Sequence, residues 1–362
     1  MEKVVVEHSS KILAELPKGD VNSRMETFYN PVMVSNRNIS VLLLNAISNK
    51  NMKLSLPLAG SGIRALRFLQ ELKKGKFKLL AINDKKENFE QTFTRNIELN
   101  NISQTIRNKL TLHNKDATKF LLDEDGFDYI DLDPFGSPNP FLAATIARIS
   151  RNGILAITAT DTAALTGTYG KVTQRKYWAK SIKNYMMHET GLRILIRKVQ
   201  LQGIQFDKAL TPILAYHKDH YFRIYFRIEK GKQKCDKIVK NFNYFLYCHK
   251  CLNFTFSKRN AGQCECSGNF DYAGPLWTGE LIEEKLISKM VKENKSSKGF
   301  LEEQKFLEQL LIDAKNNHFG FYDLHIICKK YKIDVPKLEP LLKKLKATRT
   351  HFSPTSFRYE KK

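Results

Sequence analysis

The stretch IDLDPFGSP, residues 130–138, combines residue types that could do chemistry on an aromatic amine. It places Asp131 and Asp133 on either side of a single leucine, and Pro134 and Phe135 follow directly. A carboxylate oxygen that accepts the amine hydrogens makes the nitrogen pyramidal and aims its lone pair at an electrophile. A proline stiffens the turn before the substrate arrives, and an aromatic ring can stack on a base. Asp133 is therefore a candidate catalytic acceptor and base, and Phe135 a candidate stacking residue.

These residues follow one of several apolar runs that alternate with helical patterns between about residues 41 and 230. Such alternation predicts an α/β fold with a parallel sheet. The runs at 211–217 and 221–230 are joined by only three residues, which predicts an antiparallel hairpin. Five parallel strands closed by a hairpin are typical of the Rossmann-like fold of class I methyltransferases. The parallel strand candidates are KLSLPL (53–58), FKLLAIN (77–83), KLTLHN (109–114), FDYIDLD (127–133) and GILAITAT (153–160).

The first three predicted strands are each followed by residues that suit a nucleotide, which binds at the carboxyl ends of parallel strands. Gly60 and Gly62 follow the first strand and let the chain turn sharply before a helix. Asp84 follows the second strand and could accept hydrogen bonds from both ribose hydroxyls, or it could cap a helix instead. Asp116 and Ala117 follow the third strand, where a side-chain acceptor can bind the adenine amine while the backbone frames the ring.

This pattern favours S-adenosylmethionine over a dinucleotide. The sequence GSGIRA (60–65) lacks the third glycine of a dinucleotide loop, and S-adenosylmethionine has no pyrophosphate to hold. Arg37 and Arg64 could bind the methionine carboxylate, although either one alone could be a solvated surface charge. In methyltransferases that act on exocyclic amines, the end of the fourth strand carries Asn, Asp or Ser, then two prolines and an aromatic residue. Asp133 is therefore expected in an active site rather than in an Asx turn that only ends a strand.

Four of the six cysteines lie within residues 248–266, as one C-x2-C and one C-x-C knuckle. Four thiolates in two knuckles suit a tetrahedral structural zinc site in a reducing compartment better than a disulfide framework. His249, inside the first knuckle, is an alternative ligand. We interpret Cys235 and Cys328 as unligated, with Cys328 in the core on an apolar helix face. The predicted ligands are Cys248, Cys251, Cys264 and Cys266.

Charge and length indicate a polyanionic partner and two domains. The 362-residue chain has 60 Lys and Arg against 37 Asp and Glu, a net charge of +23, which attracts nucleic acid. We expect a catalytic domain at 1–232 and an α+β RNA-binding domain at 233–362. We find no apolar run long enough to span a membrane and no signal peptide, so we expect a cytoplasmic protein. We also expect it to be a monomer.

The C-terminal sequence ATRTHFSPTSFRYEKK (347–362) follows several helical patterns and predicts a strand-turn-strand wing, so that the chain would end in a winged-helix-like unit. Its basic residues are interleaved with Phe352, Phe357 and Tyr359. These rings could lie against ribose or bases, with the charges on phosphates. Alternatively, the aromatic side chains fold inward and leave only a solvated basic surface.

These motifs together resemble the tRNA (guanine-N2)-dimethyltransferase family, which modifies the guanine at position 26 of tRNA. The resemblance runs from FYNP (28–31) to THF (350–352) and includes GILAITATDTAAL, RKYWAK and YHKDHYFR. It implies S-adenosylmethionine-dependent conversion of guanine to N2-methylguanine and then N2,N2-dimethylguanine. It also implies that Asp133 is the catalytic carboxylate and that Phe28 helps to hold the base. The cofactor contacts that it implies are Arg37, Arg64, Asp84, Asp116 and Ala117.

Two alternatives stay open from the residues. The chain could be an amine methyltransferase that acts on DNA or on another RNA, and the nucleoside that it forms would separate this from a tRNA enzyme. It could also be a non-catalytic RNA-binding protein that keeps the methyltransferase fold as a scaffold. The intact set of Asp84, Asp116 and Asp133 argues against a scaffold, and failure to bind S-adenosylmethionine would support it.

Overall fold

The computed structural model describes residues 3–14, 29–296, 299–316 and 318–359, so that the predicted site residue Phe28 lies outside the described residues. No helix within these ranges is long and apolar enough to cross a membrane. The strands are β1 (Lys3–Glu7), β2 (Ser10–Ala14), β3 (Met52–Leu56), β4 (Phe77–Asn83), β5 (Leu110–His113), β6 (Phe127–Leu132), β7 (Ile149–Ala159), β8 (Lys208–Lys218), β9 (Tyr221–Lys230), β10 (Phe242–Tyr247), β11 (Phe254–Ser257), β12 (Asp271–Trp277), β13 (Tyr322–Asp323), β14 (Thr348–Arg349) and β15 (Ser356–Arg358). The helices are α1 (Val34–Ala46), α2 (Ile63–Glu71), α3 (Phe89–Leu99), α4 (Gln104–Arg107), α5 (Ala117–Asp123), α6 (Leu142–Arg148), α7 (Thr162–Leu165), α8 (Gly170–Tyr177), α9 (Met187–Ile204), α10 (Lys232–Lys240), α11 (Glu284–Ser296), α12 (Gln304–Lys315), α13 (Leu324–Tyr331) and α14 (Leu338–Leu345).

Packing divides the chain into two compact units. The first is formed by the described residues of 1–159 and 292–303, and the second by those of 160–291 and 304–362. The predicted boundary between residues 232 and 233 separates a catalytic from an RNA-binding function, and it stays a prediction.

The first unit is built on five parallel strands in the order β5-β4-β3-β6-β7. Leu54 of β3 pairs with Leu80 of β4 on one side and with Tyr129 of β6 on the other, and all three side chains are fully buried. Near-continuous apolar runs such as FDYIDL are typical of parallel strands, because helices cover both faces of such sheets. The five predicted parallel strands are confirmed, although β7 begins at Ile149, four residues before the predicted start.

The second unit contains the predicted antiparallel hairpin, in which β8 and β9 pair from Lys208 opposite Lys230 to Lys218 opposite Tyr221. A three-stranded sheet in the order β11-β10-β12 accompanies the cysteine knuckles. A second small sheet has the order β13-β15-β14 and lies in sequence among α12, α13 and α14. The predicted strand-turn-strand is found as the antiparallel pair β14 and β15.

The aromatic side chains of this C-terminal segment fold inward. Phe352 and Phe357 are 8% and 5% exposed, and Tyr359 packs against the cluster that contains Phe357. Cys328 is 2% exposed in the same cluster, which confirms its predicted place in the core. Of the two alternatives for the wing, the inward-folded one is therefore observed, and the prediction that these rings lie against ribose or bases is wrong. Their burial stabilises the small sheet, because a three-stranded sheet this short needs an apolar core.

Candidate active site and metal centre

The polar residues that follow the parallel strands lie at one edge of the sheet. β3 is flanked by β4 on one side and β6 on the other, so the strand order along the chain reverses between β3 and β6. Such a reversal opens a crevice at the carboxyl ends of the strands, where ligands bind. Gly60 and Gly62 follow β3, Asp84 follows β4 and Asp133 follows β6. The two carboxylates therefore come from the strands on either side of the glycine loop. We call this edge the strand-end site.

The loop after β3 has a conformation that favours glycine. Gly60 and Gly62 have φ angles of 59° and 77°, in the left-handed region. A Cβ atom on Gly62 would lie 2.2 Å from Cδ2 of the fully buried Phe93, so no larger residue fits without displacing the core. The helix α2 begins directly after Gly62 and directs its first backbone N–H groups toward the loop.

Asp84 holds this glycine loop. Its Oδ2 accepts a hydrogen bond from the Gly60 N–H at 2.8 Å, and its Oδ1 accepts one from the Lys86 N–H at 3.2 Å. The side chain is buried, and the N-cap of α3 is Asn88. The alternative that Asp84 caps a helix is therefore wrong. Each carboxylate oxygen has two lone pairs, so Asp84 can hold the loop and still accept hydrogen bonds from a ligand.

Asp116 does cap a helix. Its Oδ1 accepts hydrogen bonds from the N–H groups of Thr118 and Lys119 at 2.9 and 3.2 Å, in the first turn of α5. Such a cap satisfies two backbone donors that have no partner within the helix. Ala117 is the first residue of α5, and its side chain is buried. One oxygen of Asp116 is thus used by the chain itself, and the predicted contacts with adenine stay predictions.

Asn83 connects the loops of the strand-end site, and sequence reasoning missed it. This last residue of β4 is fully buried. Its Nδ2 donates to the carbonyl oxygens of Pro57 and Lys115 at 2.9 and 3.0 Å, and its Oδ1 accepts from the Lys115 N–H at 3.0 Å. Only an amide side chain offers both donors and an acceptor in this geometry. An asparagine at the end of the apolar run FKLLAIN was the available indication, because a buried polar side chain needs internal partners.

Arg64 joins the glycine loop to Asp133. Its Nη2 donates to Asp133 Oδ2 at 2.5 Å and to Asn36 Oδ1 at 2.9 Å. Its Nη1 donates to Ser40 Oγ at 2.8 Å and lies 3.4 Å from Asp131 Oδ2. The side chain is only 7% exposed, so the alternative of a solvated surface charge is wrong. Two carboxylates share this buried cation, and Asn36 and Ser40 of α1 are positioning residues that the sequence did not reveal.

Asp133 and Phe135 reach the surface directly after β6. The Asp133 side chain is 21% exposed, and Phe135 is 50% exposed, whereas Pro134 between them is buried. Arg64 occupies Oδ2 of Asp133, which leaves Oδ1 as the acceptor for a substrate amine. A half-exposed phenylalanine beside this carboxylate offers a flat apolar surface of the kind on which a base can stack. The roles of both residues stay predictions.

Arg37 is buried and bound by Glu7 of β1. The Arg37 Nε and Nη2 atoms donate to the two Glu7 carboxylate oxygens at 2.7 and 2.5 Å, and Arg67 Nη1 donates to Glu7 at 2.9 Å. Burial raises the pKa of Glu7, but the hydrogen bonds and charges of Arg37 and Arg67 outweigh it and lower the pKa to about 2. The alternative that Arg37 is a solvated charge is wrong, and its predicted contact with a cofactor carboxylate stays a prediction.

The four predicted metal ligands converge within the second unit. The sulfur atoms of Cys248, Cys251, Cys264 and Cys266 all lie within 4.8 Å of one another. The pairs Cys248–Cys266 and Cys251–Cys264 are 3.5 Å apart, whereas a disulfide needs about 2.0 Å. An ion with four Zn–S bonds of about 2.3 Å requires sulfurs about 3.8 Å apart, so the cluster fits zinc. His249 lies outside it, with Nε2 3.4 Å from Asp271 Oδ2.

Each knuckle is closed by its own backbone turn. The Leu252 N–H donates to the Cys248 carbonyl and the Ser267 N–H to the Cys264 carbonyl, both at 2.8 Å. A Cβ atom on Gly268 would lie 2.9 Å from Cys248 Sγ, so glycine leaves room for the sulfurs. Four cysteine ligands leave no open coordination position, which is typical of structural rather than catalytic zinc.

Comparisons with known proteins agree with this geometry. The family model described as N2,N2-dimethylguanosine tRNA methyltransferase matches residues 2–362. The chain is 37% identical over 98% of its length to the tRNA (guanine(26)-N(2)/guanine(27)-N(2))-dimethyltransferase of Aquifex aeolicus, of which 92% is covered. It is 38% identical over 97% of its length to the tRNA (guanine(26)-N(2))-dimethyltransferase of Methanobrevibacter smithii, again with 92% covered.

A solved structure gives the same result. The complex of Trm1 from Pyrococcus horikoshii with S-adenosyl-L-methionine has a TM-score of 0.85 and 33% sequence identity, over 99% of this chain and 97% of that chain. The predicted class I methyltransferase fold is thereby confirmed. The chain belongs to the N2,N2-dimethylguanosine tRNA methyltransferase family.

Proposed function

We propose that this chain is a tRNA methyltransferase that transfers methyl groups from S-adenosylmethionine to N2 of the guanine at position 26, giving N2-methylguanine and then N2,N2-dimethylguanine. The observation that carries the proposal is the 2.5 Å hydrogen bond from Arg64 to Asp133, which joins the helix after the glycine loop to the carboxylate after β6. The relatives from Aquifex aeolicus and Methanobrevibacter smithii carry names that describe this reaction.

The residues of the strand-end site fit S-adenosylmethionine, which supplies an electrophilic methyl group on sulfur when it is bound. Gly60 and Gly62 let the backbone approach the ligand closely, and Asp84 offers acceptors for the ribose hydroxyls. Asp116 and Ala117 would frame the adenine. We assign Arg64 and Arg37 to the methionine end, because their positive charges would attract its carboxylate.

Asp133 would bind and deprotonate the exocyclic amine. Arg64 holds Oδ2, so the carboxylate is oriented and Oδ1 can accept a hydrogen from guanine N2. The nitrogen then becomes pyramidal, and its lone pair is no longer delocalised into the ring of the base. As the nitrogen gains a methyl group it loses a proton, which Asp133 accepts. Phe135 would stack on the guanine, with Phe28 as the second aromatic, and buried Pro134 fixes the turn.

Dimethylation places a further requirement on the pocket. After the first transfer, the amine must rotate or rebind so that its remaining hydrogen faces Asp133 and its lone pair faces a second molecule of S-adenosylmethionine. The pocket must also accept one methyl group beside the base. A pocket that is tighter by the size of a methyl group would stop the reaction at N2-methylguanine.

The second unit would support RNA binding. Cys248, Cys251, Cys264 and Cys266 would hold a structural zinc ion, and the net charge of +23 favours tRNA as the partner. The order α12-β13-α13-α14-β14-β15 is consistent with a winged-helix-like end. We place the RNA-binding function at residues 233–362 and the enzyme in the cytoplasm, where reducing conditions keep the thiolates available for metal. We further propose that it acts as a monomer.

Mass spectrometry of nucleosides tests this function directly. Unmodified tRNA is incubated with the protein and S-adenosylmethionine, and we expect N2,N2-dimethylguanosine. N2-methylguanosine alone would mean a tight pocket or a slow second transfer. Methylated nucleosides in DNA or ribosomal RNA, but not in tRNA, would favour an amine methyltransferase with another substrate. Absence of S-adenosylmethionine binding would favour a non-catalytic RNA-binding protein.

A further inference from the structure

One basic segment of the chain is 162–188, within the second unit. This segment contains five basic residues and no acidic residue. The helix α8 lies in its middle, between Tyr169 and Trp178, which are 60% and 51% exposed. Large exposed aromatic side chains are uncommon on a surface that has no ligand, because their burial is strongly favourable. Both features therefore indicate a binding surface.

The opposite face of α8 anchors the helix. Thr173 and Tyr177 are fully buried. The Tyr177 hydroxyl donates to the carboxylate of Asp161 at 2.6 Å, and the Thr173 and Ser181 hydroxyl oxygens lie 3.0 Å apart. A helix whose inner face is fixed by buried hydrogen bonds can present the side chains of its outer face in a constant arrangement.

The outer face of α8 carries cationic side chains, and an exposed aromatic residue lies at each end of the helix. Lys171 and Arg175 stand four positions apart in α8, both are exposed, and residues at this spacing share one side of a helix. Trp178 follows directly after the last residue of α8 and is also exposed. Like charges four residues apart repel each other, and a bound polyanion would remove that repulsion.

Trp178 is held in a conformation that its backbone does not favour. Its φ angle of 55° is in the left-handed region, which bulky residues rarely adopt. Lys198 Nζ lies 2.9 Å from the centre of the indole, and Arg197 donates to the Trp178 carbonyl oxygen. A strained residue that neighbouring side chains hold in place, and that is half exposed, is typical of a ligand contact.

We propose that Tyr169, Lys171, Arg175 and Trp178 form an RNA-binding surface, which we call the α8 surface. The inference rests on the proposed function, since it assigns to the tRNA substrate a contact that includes phosphates and an unpaired base. Lysine and arginine neutralise phosphates, and an aromatic ring stacks on a base that is not paired. An acidic protein would use the charges but would gain less from two exposed rings.

The helix α10 provides a matched control. It exposes Lys237 and Lys240, three positions apart, but its sequence KQKCDKIVK contains no aromatic residue and does contain Asp236. Two double variants can therefore be compared, Lys171→Gln with Arg175→Gln and Lys237→Gln with Lys240→Gln. Each removes two charges from an exposed helix face, so general electrostatic attraction is reduced equally.

Dissociation constants for unmodified tRNA, measured over a range of salt concentrations, test the charges. We expect the α8 double variant to bind about tenfold more weakly. The slope of its log affinity against log salt concentration should correspond to about two fewer released counterions. The affinity of the α10 double variant should change less than about threefold. Equal losses in the two variants would overturn the α8 surface. Thermal melting of both variants shows whether they are folded.

Fluorescence tests the stacking, because Trp178 is half exposed whereas Trp277, the other tryptophan, is 5% exposed. We expect tRNA to quench the tryptophan fluorescence of the wild type and not that of Trp178→Asn. Asparagine is chosen for this variant because it tolerates the left-handed conformation. Inorganic polyphosphate, which has no bases, should quench neither. Quenching by polyphosphate, or none by tRNA that binds, would overturn the stacking. If the wild type methylates tRNA but the α8 double variant binds it normally, this inference alone fails. If the wild type neither binds nor methylates tRNA, the proposed function fails.

Discussion

The strand-end site and the cysteine cluster differ in how their residues are brought together. The four cysteines lie within residues 248–266, and each knuckle closes through its own backbone turn. In contrast, the residues around Arg64 come from positions 36 to 133 and meet only because the sheet and the helix α1 place them side by side. A site of the first kind is specified by local sequence, whereas a site of the second kind is specified by the fold.

Their exposure differs as well. Among the four cysteines, Cys248 and Cys264 are buried, and the cluster leaves no coordination position open. At the strand-end site, Asp133 and Phe135 are 21% and 50% exposed beside a buried arginine. Changes in the cluster are therefore expected to alter stability, and changes at Asp133 to alter catalysis.

The largest expected effect is the loss of catalysis in Asp133→Ala. Without the carboxylate the amine has no acceptor and no base, so kcat should fall by about 10⁴-fold, equal to about 5.5 kcal/mol. Binding of S-adenosylmethionine should change little. Asp133→Asn keeps an accepting oxygen, so its activity shows how much of the effect comes from proton transfer. Steady-state methylation of tRNA and a cofactor titration measure the two quantities.

Asp125→Asn is the matched control for this experiment, because Asp125 is exposed and precedes β6 at the opposite end of the strand. It should methylate tRNA at the wild-type rate. Normal turnover by Asp133→Ala would exclude Asp133 from the mechanism. A cofactor affinity that falls in parallel with kcat would mean that Asp133 mainly supports Arg64.

The next largest effect is expected on stability, in Cys248→Ser. A zinc site with three thiolates binds metal more weakly, and the cluster loses the cross-link between its knuckles. We expect loss of bound zinc and destabilisation by about 4 kcal/mol. Elemental analysis and thermal unfolding measure both, and a chelator should reproduce the effect in the wild type. Cys235→Ser, a buried cysteine outside the cluster, should keep its metal. A wild type that contains no metal would contradict the zinc assignment.

The two sites also differ in how far the sequence predicts them. The convergence of the four cysteines was predicted from spacing alone, because a C-x2-C knuckle needs only a local turn to bring its sulfurs together. The parallel strands and the residues that end them were found from apolar runs, since the carboxyl ends of parallel strands share one edge. Asp84 was correctly placed at that edge, but its bond to Gly60 was not foreseen.

The partners of these residues could not be predicted, for a physical reason. Asn36, Ser40 and Glu7 form hydrogen bonds to arginines that are distant in sequence, and only tertiary packing determines which pairs meet. The burial of Phe352 and Phe357 could not be predicted either, because an aromatic residue between basic residues suits a core as well as a binding surface. Local sequence patterns therefore predicted the strands and the cysteine knuckles, whereas the hydrogen-bond networks around the buried arginines depend on tertiary packing.

The smallest of the three effects concerns the Glu7 carboxylate. We expect Glu7 to support the strand-end site structurally, through Arg37, without taking part in its chemistry. The pKa of Glu7 is about 2 in the folded chain, below its ordinary value of 4.5. Because the folded value is lower, the ionised carboxylate stabilises the protein above pH 4.5, and this stabilisation is lost as the pH falls toward 2. It amounts to about 3 kcal/mol at neutral pH.

Glu7→Gln should therefore unfold about 3 kcal/mol more easily than the wild type at pH 7, and the difference should shrink as the pH falls from 4.5 toward 2. Denaturant unfolding at several pH values measures it. Glu339→Gln is the control, because its ion pair with Arg349 has the same 2.5 Å separation but a glutamate that is 66% exposed, so its effect should stay below about 1 kcal/mol. A difference that does not change with pH would mean that Glu7 acts through packing rather than charge. A loss of methylation by Glu7→Gln at temperatures where it is folded would place Arg37 and its partner in the chemical part of the site.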